Sequence, residues 1–232
     1  RAEKMVRVER GAVVKVLHVT PSFYPALVYG GPTRSVYQLC RGLVRHGCEV
    51  RVLTTNANGR DAVLEVETGR EVKIADDLPV RYCHRIAGQS ISPMLLQLLQ
   101  SRIRWADVVH LMAVYSFPTI PTLLACALSG KPVVWSPRGM LQRWQGTTRP
   151  FLKAIWEHIC RVVAPEKMIL HVTSPEEAEA CAQRMPGVQT VVVPNGFEIP
   201  AQVAHRAEQG TLRLLYLGRL HPIKGIENLL RA

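Results

Sequence analysis

The sequence is short of acidic residues, poor in aromatics and without long apolar runs, and each shortage argues against a class of protein. Only 18 acidic side chains stand against 29 basic ones, giving a formal net charge of +11. That imbalance favours anionic partners: phospholipid headgroups, nucleic acid or a diphosphate-bearing substrate. Aromatic residues make up 6% of the chain, and no basic run is interleaved with them. With no zinc-finger or RNA-binding signature, nucleic acid is the weakest of these partners. The longest apolar runs, such as 108–114 with its embedded histidine, are far shorter than a bilayer span. The charged opening 1–11 leads into a strand pattern rather than a signal-peptide core, so a cytoplasmic protein is expected. None of the six cysteines (Cys40, Cys48, Cys83, Cys126, Cys160, Cys181) falls in a Cys-x-x-Cys pair. Most sit in apolar stretches, where a thiol behaves as a small hydrophobe, so neither disulfides nor a zinc site is expected. The Gly-x-Gly-x-x-Gly fingerprint is also missing, which counts against a dinucleotide-dependent dehydrogenase.

What is present is a regular alternation of strand and helix patterns. With 47% apolar residues in 232, the chain can build one domain with a sizeable core and have about thirty residues left over. Strands are expected at 13–19, 49–54, 80–83, 107–111, 132–135, 168–172 and 190–193, the first a continuous run rich in β-branched residues. Helices are expected between them: one opening at Pro32 and ending at Gly47, then 93–105, 119–128, 151–163 and 175–184. The stretch 56–77 reads as turns with room for a short hairpin. This order predicts an α/β fold, a doubly wound, mostly parallel Rossmann-like sheet, over residues 12–198. A polar linker at 199–211 follows, and the pattern restarts at 212–232 with a strand at 212–217 and a helix opening near Gly225. That strand, bounded by Leu212 and Leu217, has no later sheet partner. The expectation is therefore a domain whose remainder lies downstream, or a tail that docks on the first domain, on a second copy or on a missing partner domain.

A few residues stand where such a fold does chemistry. Gly30-Gly31-Pro32 precedes the first helix, where bare N–H groups and the helix dipole favour an anion; the same residues also make an ordinary turn. Gly218-Arg219 and Lys224-Gly225 bracket a loop at the carboxyl end of the second unit's strand, the position of two cations that neutralise a diphosphate or simply face water. His110 lies in an apolar strand, where a satisfied core histidine is the commoner outcome. Asp76-Asp77 precedes Leu78-Pro79 and reads as a solvated turn rather than a metal-binding pair. The helix at 151–163 has Arg143, Arg149 and Lys153 near its start, with Trp144 and Trp156 nearby. It suits core packing first, and an acceptor groove or an anionic membrane surface second.

Five segments, in order along the chain, resemble those of the family 4 glycosyltransferases, which have the GT-B fold of two facing Rossmann-like domains. They are 16–24 with Gly30-Gly31-Pro32; Asp107-Val108-Val109-His110; Ser136-Pro137-Arg138-Gly139-Met140-Leu141; Val193-Pro194-Asn195-Gly196; and Gly218-Arg219 through Lys224-Gly225. The resemblance implies a retaining, metal-independent transfer of a sugar from a nucleotide diphosphate sugar to a glycan or lipid-linked acceptor held by the first domain. No cofactor is implied beyond the nucleotide sugar as co-substrate. Arg219 and Lys224 match the pair that contacts the donor diphosphate, and Gly30 and Gly31 the glycine loop facing it. Asn195-Gly196 matches the turn near the interdomain hinge.

Arg138 stands where many relatives place a histidine near the reacting sugar. An arginine stays protonated, so it suits phosphate contact or positioning rather than general-base work. His110 is the minor catalytic candidate, and Met112 occupies a place where related segments carry another histidine. The paired glutamates that hold the donor in the family's second domain have no counterpart before Ala232, so the chain is expected to supply the acceptor side of the reaction. Two other readings stay open: a non-catalytic acceptor-binding or oligomerising module, and an unrelated nucleotide- or nucleic-acid-binding Rossmann-like protein. Contact with the inner membrane face is the peripheral variant of the cytoplasmic expectation.

Overall fold

Runs of valine, isoleucine and leucine form the strands because branched side chains pack well on a pleated surface that is covered on both faces. The computed structural model describes residues 12–143, 148–196, 214–218 and 225–231. Its order is β1 (Lys15–Val19), α1 (Gly31–Arg45), β2 (Glu49–Thr55), β3 (Glu71–Ile74), β4 (Leu78–Cys83), α2 (Pro93–Trp105), β5 (Val108–Met112) and α3 (Thr119–Leu128). There follow β6 (Val133–Ser136), α4 (Pro150–Val162), β7 (Met168–Val172), α5 (Pro175–Arg184), β8 (Gln189–Val192) and α6 (Ile226–Arg231). The chain divides into two units, Arg1–Phe197 and Glu198–Ala232.

In the first unit the strands form one sheet in the order β3-β4-β2-β1-β5-β6-β7-β8. Every pairing is parallel except β3 with β4. The doubly wound sheet expected from the alternation is therefore what forms. The hairpin suggested at 56–77 takes a different form. An isolated bridge joins Ala57 to Val63, while β3 folds back on β4 through a short turn at Ala75–Asp77. β3 had no clear sequence signature because Glu71 and Lys73 alternate with only two apolar residues, as suits a half-exposed edge.

Local chemistry sets the helix starts. Ser92 and Ser174 cap α2 and α5 by accepting from the backbone N–H groups of Leu95 (3.4 Å) and Glu177 (3.2 Å), and proline follows each in the first turn. Successive strand residues point to opposite faces, so two cores form. One face carries Leu17, Val109, Leu111, Trp135 and Leu170 against α2, α3 and α5, with Cys160 of α4. The other carries Val16, Val50, Val52 and Val80 against Val36, Tyr37 and Cys40 of α1. An apolar groove of about 290 Å³ runs there, walled by Val16, Leu39, Leu43, Val134 and Ile169.

All six cysteines are free thiols, and five are buried. Burial pushes the Cys40, Cys83, Cys126, Cys160 and Cys181 thiols up to about 12, so they pack as inert hydrophobes. Among the described residues no helix is long and apolar enough to cross a membrane.

In the second unit the expected strand at 212–217 is corrected over residues 214–217, while 212 and 213 lie outside the described residues. Leu214 to Leu217 adopt no strand, because no neighbouring strand among the described residues receives their backbone hydrogen bonds; Leu214, Leu215 and Leu217 are exposed. The expected helix does form as α6, with an exposed Glu227–Arg231 ion pair at 3.6 Å.

The core on the α2–α5 face makes a direct prediction. Trp135 is fully buried, and its indole N–H donates to the Ala113 carbonyl at 2.7 Å. Trp135→Phe leaves that carbonyl unpaired and is expected to cost about 1–3 kcal/mol, whereas Trp135→Ala, which also opens a cavity, costs about 3–5 kcal/mol. Urea unfolding of both variants checks the ranking, and a loss below about 1 kcal/mol for Trp135→Ala would contradict the packing.

Candidate active site at the carboxyl ends of the strands

Strand order reverses between β1 and β5, and in open α/β sheets ligands bind outside the carboxyl ends of the strands at such a point. Beside this reversal a polar row crosses the α1 face of the sheet. His18 of β1 and His110 of β5 are register partners, with rings edge to face at 4.7 Å. His110 Nε2 lies 2.7 Å from Ser136 Oγ, Ser136 Oγ lies 2.9 Å from His171 Nδ1, and His171 Nε2 lies 3.1 Å from the Val193 carbonyl oxygen.

A carbonyl only accepts, so the last contact fixes every proton in the row. His171 donates from Nε2 and accepts at Nδ1. Ser136 therefore donates to His171, and His110 donates from Nε2 to Ser136, which leaves His110 Nδ1 without a proton. Charge is disfavoured throughout. Burial, then Arg138, holds the His18 imidazole down to about 3. His110 is held well below its ordinary range by burial first and then by the neighbouring histidines and Arg138. Burial also lowers His171, against the opposing pull of its bond to Val193. His18 is fully buried and neither ring nitrogen has a hydrogen-bond partner.

Arg138 lies two residues beyond the end of β6, in the left-handed region with φ 55°. A bulky residue adopts this conformation only when its surroundings impose it. Glu177 of α5 supplies that constraint: one carboxylate oxygen accepts from the Gly139 N–H, and the other from the Thr173 N–H and hydroxyl, both at 2.8 Å. The loops after β6 and β7 are thus tied to one buried carboxylate. The guanidinium donates to the Asn195 side-chain oxygen, while its buried Nε makes no hydrogen bond. Burial lowers the Arg138 pKa, and the Glu177 charge opposes that shift.

The structure thus brings Arg138, Asn195 and the His110 row together. His110 is only 5% exposed; with His171 it lines the apolar groove and it hydrogen-bonds Ser136. Gly30 and Gly31 lie on a different element, the N-terminus of α1. Gly30 has φ 75° and ψ −140°, a conformation open only to glycine, and a side chain at Gly31 would meet no atom within 4 Å. Gly196 is exposed at the end of the described stretch. Arg219 and Lys224 lie outside the described residues. Asp77, one of the acidic pair, is exposed and pairs with Lys73 at 3.6 Å. Sequence reasoning missed His18, His171 and Glu177 as members of the site.

Two predictions come from the row. In the unfolded chain an imidazole titrates near ~6.5, above the folded values of His18 and His110. As pH falls below ~6.5 the unfolded state gains protons the folded state refuses, so stability drops, by up to ~1.4 kcal/mol per pH unit for each histidine. His18→Leu should therefore lose less stability than the parent between pH 7 and pH 5 in urea titrations. Equal losses would mean that the ring is solvated. Ser136→Ala leaves the buried His110 Nε2 and the half-buried His171 Nδ1 without their partner and is expected to cost about 1–3 kcal/mol, checked by the same titration at pH 7.

A search of curated proteins finds no match. Among solved structures the chain resembles a sucrose-phosphate synthase from Thermosynechococcus elongatus, at 13% identity and a TM-score of 0.49, over 78% of this chain and 48% of that one. It also resembles the catalytic domain of starch synthase IV from Arabidopsis thaliana, at 11% identity and a TM-score of 0.44, over 80% and 52%. MurG from Acinetobacter baumannii matches at 14% identity and a TM-score of 0.41, over 78% and 44%. The chain thus spans about half the length of these structures. A family model described as Glycosyltransferase Family 4 matches residues 29–199. The segments that the model covers include α1, the row from His110 to Val193, Arg138 and Asn195, and the chain belongs to glycosyltransferase family 4.

Proposed function

We propose that this chain forms the acceptor side of a glycosyltransferase that moves a sugar, with retention and without a metal ion, from a nucleotide diphosphate sugar to a glycan or lipid-linked acceptor. The observation that carries the reading is Arg138, a fixed cation held by Asn195 and by the Glu177-tied loop at the carboxyl end of β6. Its buried, unpaired Nε favours an arriving anionic oxygen, which a guanidinium can meet with more than one N–H. Charge developing on a leaving phosphate is where a preorganised cation has most effect on rate.

The N-terminus of α1 adds a second feature of the same sign. Bare N–H groups behind Gly30 and the uncrowded Gly31 suit a phosphate oxygen. Arg138 cannot abstract a proton at neutral pH, so in this reading it stabilises charge and leaves deprotonation of the acceptor to other groups. His110 and His171 act through Ser136 as positioning residues. Retention of configuration, the absence of a metal requirement and the division between acceptor and donor sides rest on the family resemblance. Arg219 and Lys224, with the second unit around them, are proposed to start the donor side.

The test joins the chain to the donor-binding half of a family member and follows nucleotide release from a panel of nucleotide sugars. Transfer is expected from the joined protein and to be negligible from the 232 residues alone. Arg138→Ala in the joined protein should lower kcat about 10²–10³-fold, as loss of a transition-state donor does. Arg138→Lys should restore only part, because an ammonium lacks the planar fork. Unchanged kcat in Arg138→Ala would remove the central residue from the reading, and inverted anomeric configuration in the product would remove retention.

A further inference from the structure

Helix α4 is built the wrong way round for a helix that faces water. Its inward side carries Glu157 at 3% exposure with Lys153, Trp156 and Cys160. Outward it shows Phe151 at 74%, Leu152 at 56% and Val162 at 71%, with Ile155 and Ile159 exposed between them. Phe151, Ile155, Ile159 and Val162 recur at the spacing of one helical face, so the stripe runs the length of the helix. The neighbouring α3 has no charged residue and exposes Leu124 and Leu128. Trp156 takes no part in this stripe: it is half-buried and its indole N–H donates to the Val114 carbonyl at 2.8 Å. Trp144 lies outside the described residues.

Within α3 and α4 the exposed charges have one sign. Glu157 is the only acidic residue in α3 and α4, and it is consumed inside by Arg143 at 2.7 Å and by the Tyr115 hydroxyl. Arg149 is exposed at the start of α4, whereas Lys153 turns inward and sits 5.1 Å over the Tyr115 ring. His158 and Arg161 lie on the outward side, the latter donating to the Arg184 carbonyl at 2.9 Å. No acidic side chain of either helix therefore reaches the outer face. A second copy of a chain with net charge +11 would meet this face with repulsion, whereas an anionic lipid surface complements it in both apolar and charged character.

We propose that α4, with Leu124 and Leu128 of α3 beside it, docks in the plane of an anionic phospholipid bilayer. The apolar stripe enters the acyl boundary, while the exposed Arg149 and Arg161 remain at the headgroups. At 13 residues the helix is about 20 Å long, suited to lying on a bilayer and too short to cross it.

Co-flotation of the chain with vesicles tests this. Vesicles of 70% phosphatidylcholine and 30% phosphatidylglycerol are expected to carry at least tenfold more protein than pure phosphatidylcholine, with binding reduced severalfold in 0.5 M NaCl. Phe151→Ser with Ile155→Ser should lower binding tenfold or more while the far-ultraviolet circular dichroism stays unchanged. Arg149→Glu, which removes only an exposed cation, should weaken binding to the anionic vesicles severalfold and serves if the double variant misfolds. Binding no greater to anionic than to neutral vesicles overturns the proposal. So does vesicle binding that survives both variants. A dimer in the parent that the double variant converts to monomer, without vesicle binding in either, would make a second copy the occupant and likewise overturn it.

Discussion

The carbonyl of Val193 accepts one hydrogen bond, and much of the site's order descends from it. Because that oxygen takes a proton from His171, His171 must accept from Ser136, and Ser136 must accept from His110. A row of neutral groups buried in a sheet has no net charge to be compensated, so it can sit between two apolar cores at modest cost, provided each polar atom is paired. Ser136 is the last residue of β6. Fixing its hydroxyl fixes the place where the chain leaves the sheet for Pro137, Arg138 and Gly139. Glu177 then holds the far side of the same loop through the Gly139 N–H. The left-handed backbone at Arg138 is the outcome of being held at both ends.

The parallel sheet was legible because its information is local and repeated. Strands such as Val133–Ser136 and Met168–Val172 are short, mostly apolar stretches, and the serine-proline starts of α2 and α5 announce themselves in the residues that cap them. Edges were harder. β3 earns its place by pairing with β4, and a run with two charges in four residues carries little of its own signal. The run Leu214 to Leu217 failed in the opposite sense, since its composition is that of a strand while no described neighbour supplies the ladder.

The site was only half legible, for a related reason. Arg138, Asn195 and His110 could be singled out one by one, but the polar row exists only across strands far apart in sequence. A signal was nonetheless present: Val16-Leu17-His18-Val19, Val108-Val109-His110-Leu111 and Ile169-Leu170-His171-Val172 repeat one pattern in three strands. Each puts an imidazole on the same face, one residue past a core position of the other face. One such histidine reads as an ordinary core residue. Three in β1, β5 and β7 of one sheet, bridged across β6 by Ser136, define a line, and only the topology shows it. Glu177 was hidden differently, because a glutamate in the first turn of α5 is sufficiently explained by the helix dipole. Its second role depends on a loop that lies 38 residues earlier.

The neutral row and the cation above it also constrain each other. Arg138 is a contributor to the lowered pKa values of His18, His110 and His171 alike, so its charge is felt along the whole line. If any of those imidazoles became protonated, the arginine would face a like charge across a poorly screened interior. Keeping the histidines neutral therefore spares Arg138 a like charge from the row, while Glu177 balances it on the protein side. A histidine in place of Arg138 would titrate against the row and share its protons. An arginine cannot, and it holds its charge while burial strips water from it. The arrangement gives a permanent, directional cation over a bed of fixed dipoles, which suits an anionic oxygen and is poorly matched to any step that needs a proton taken at that point.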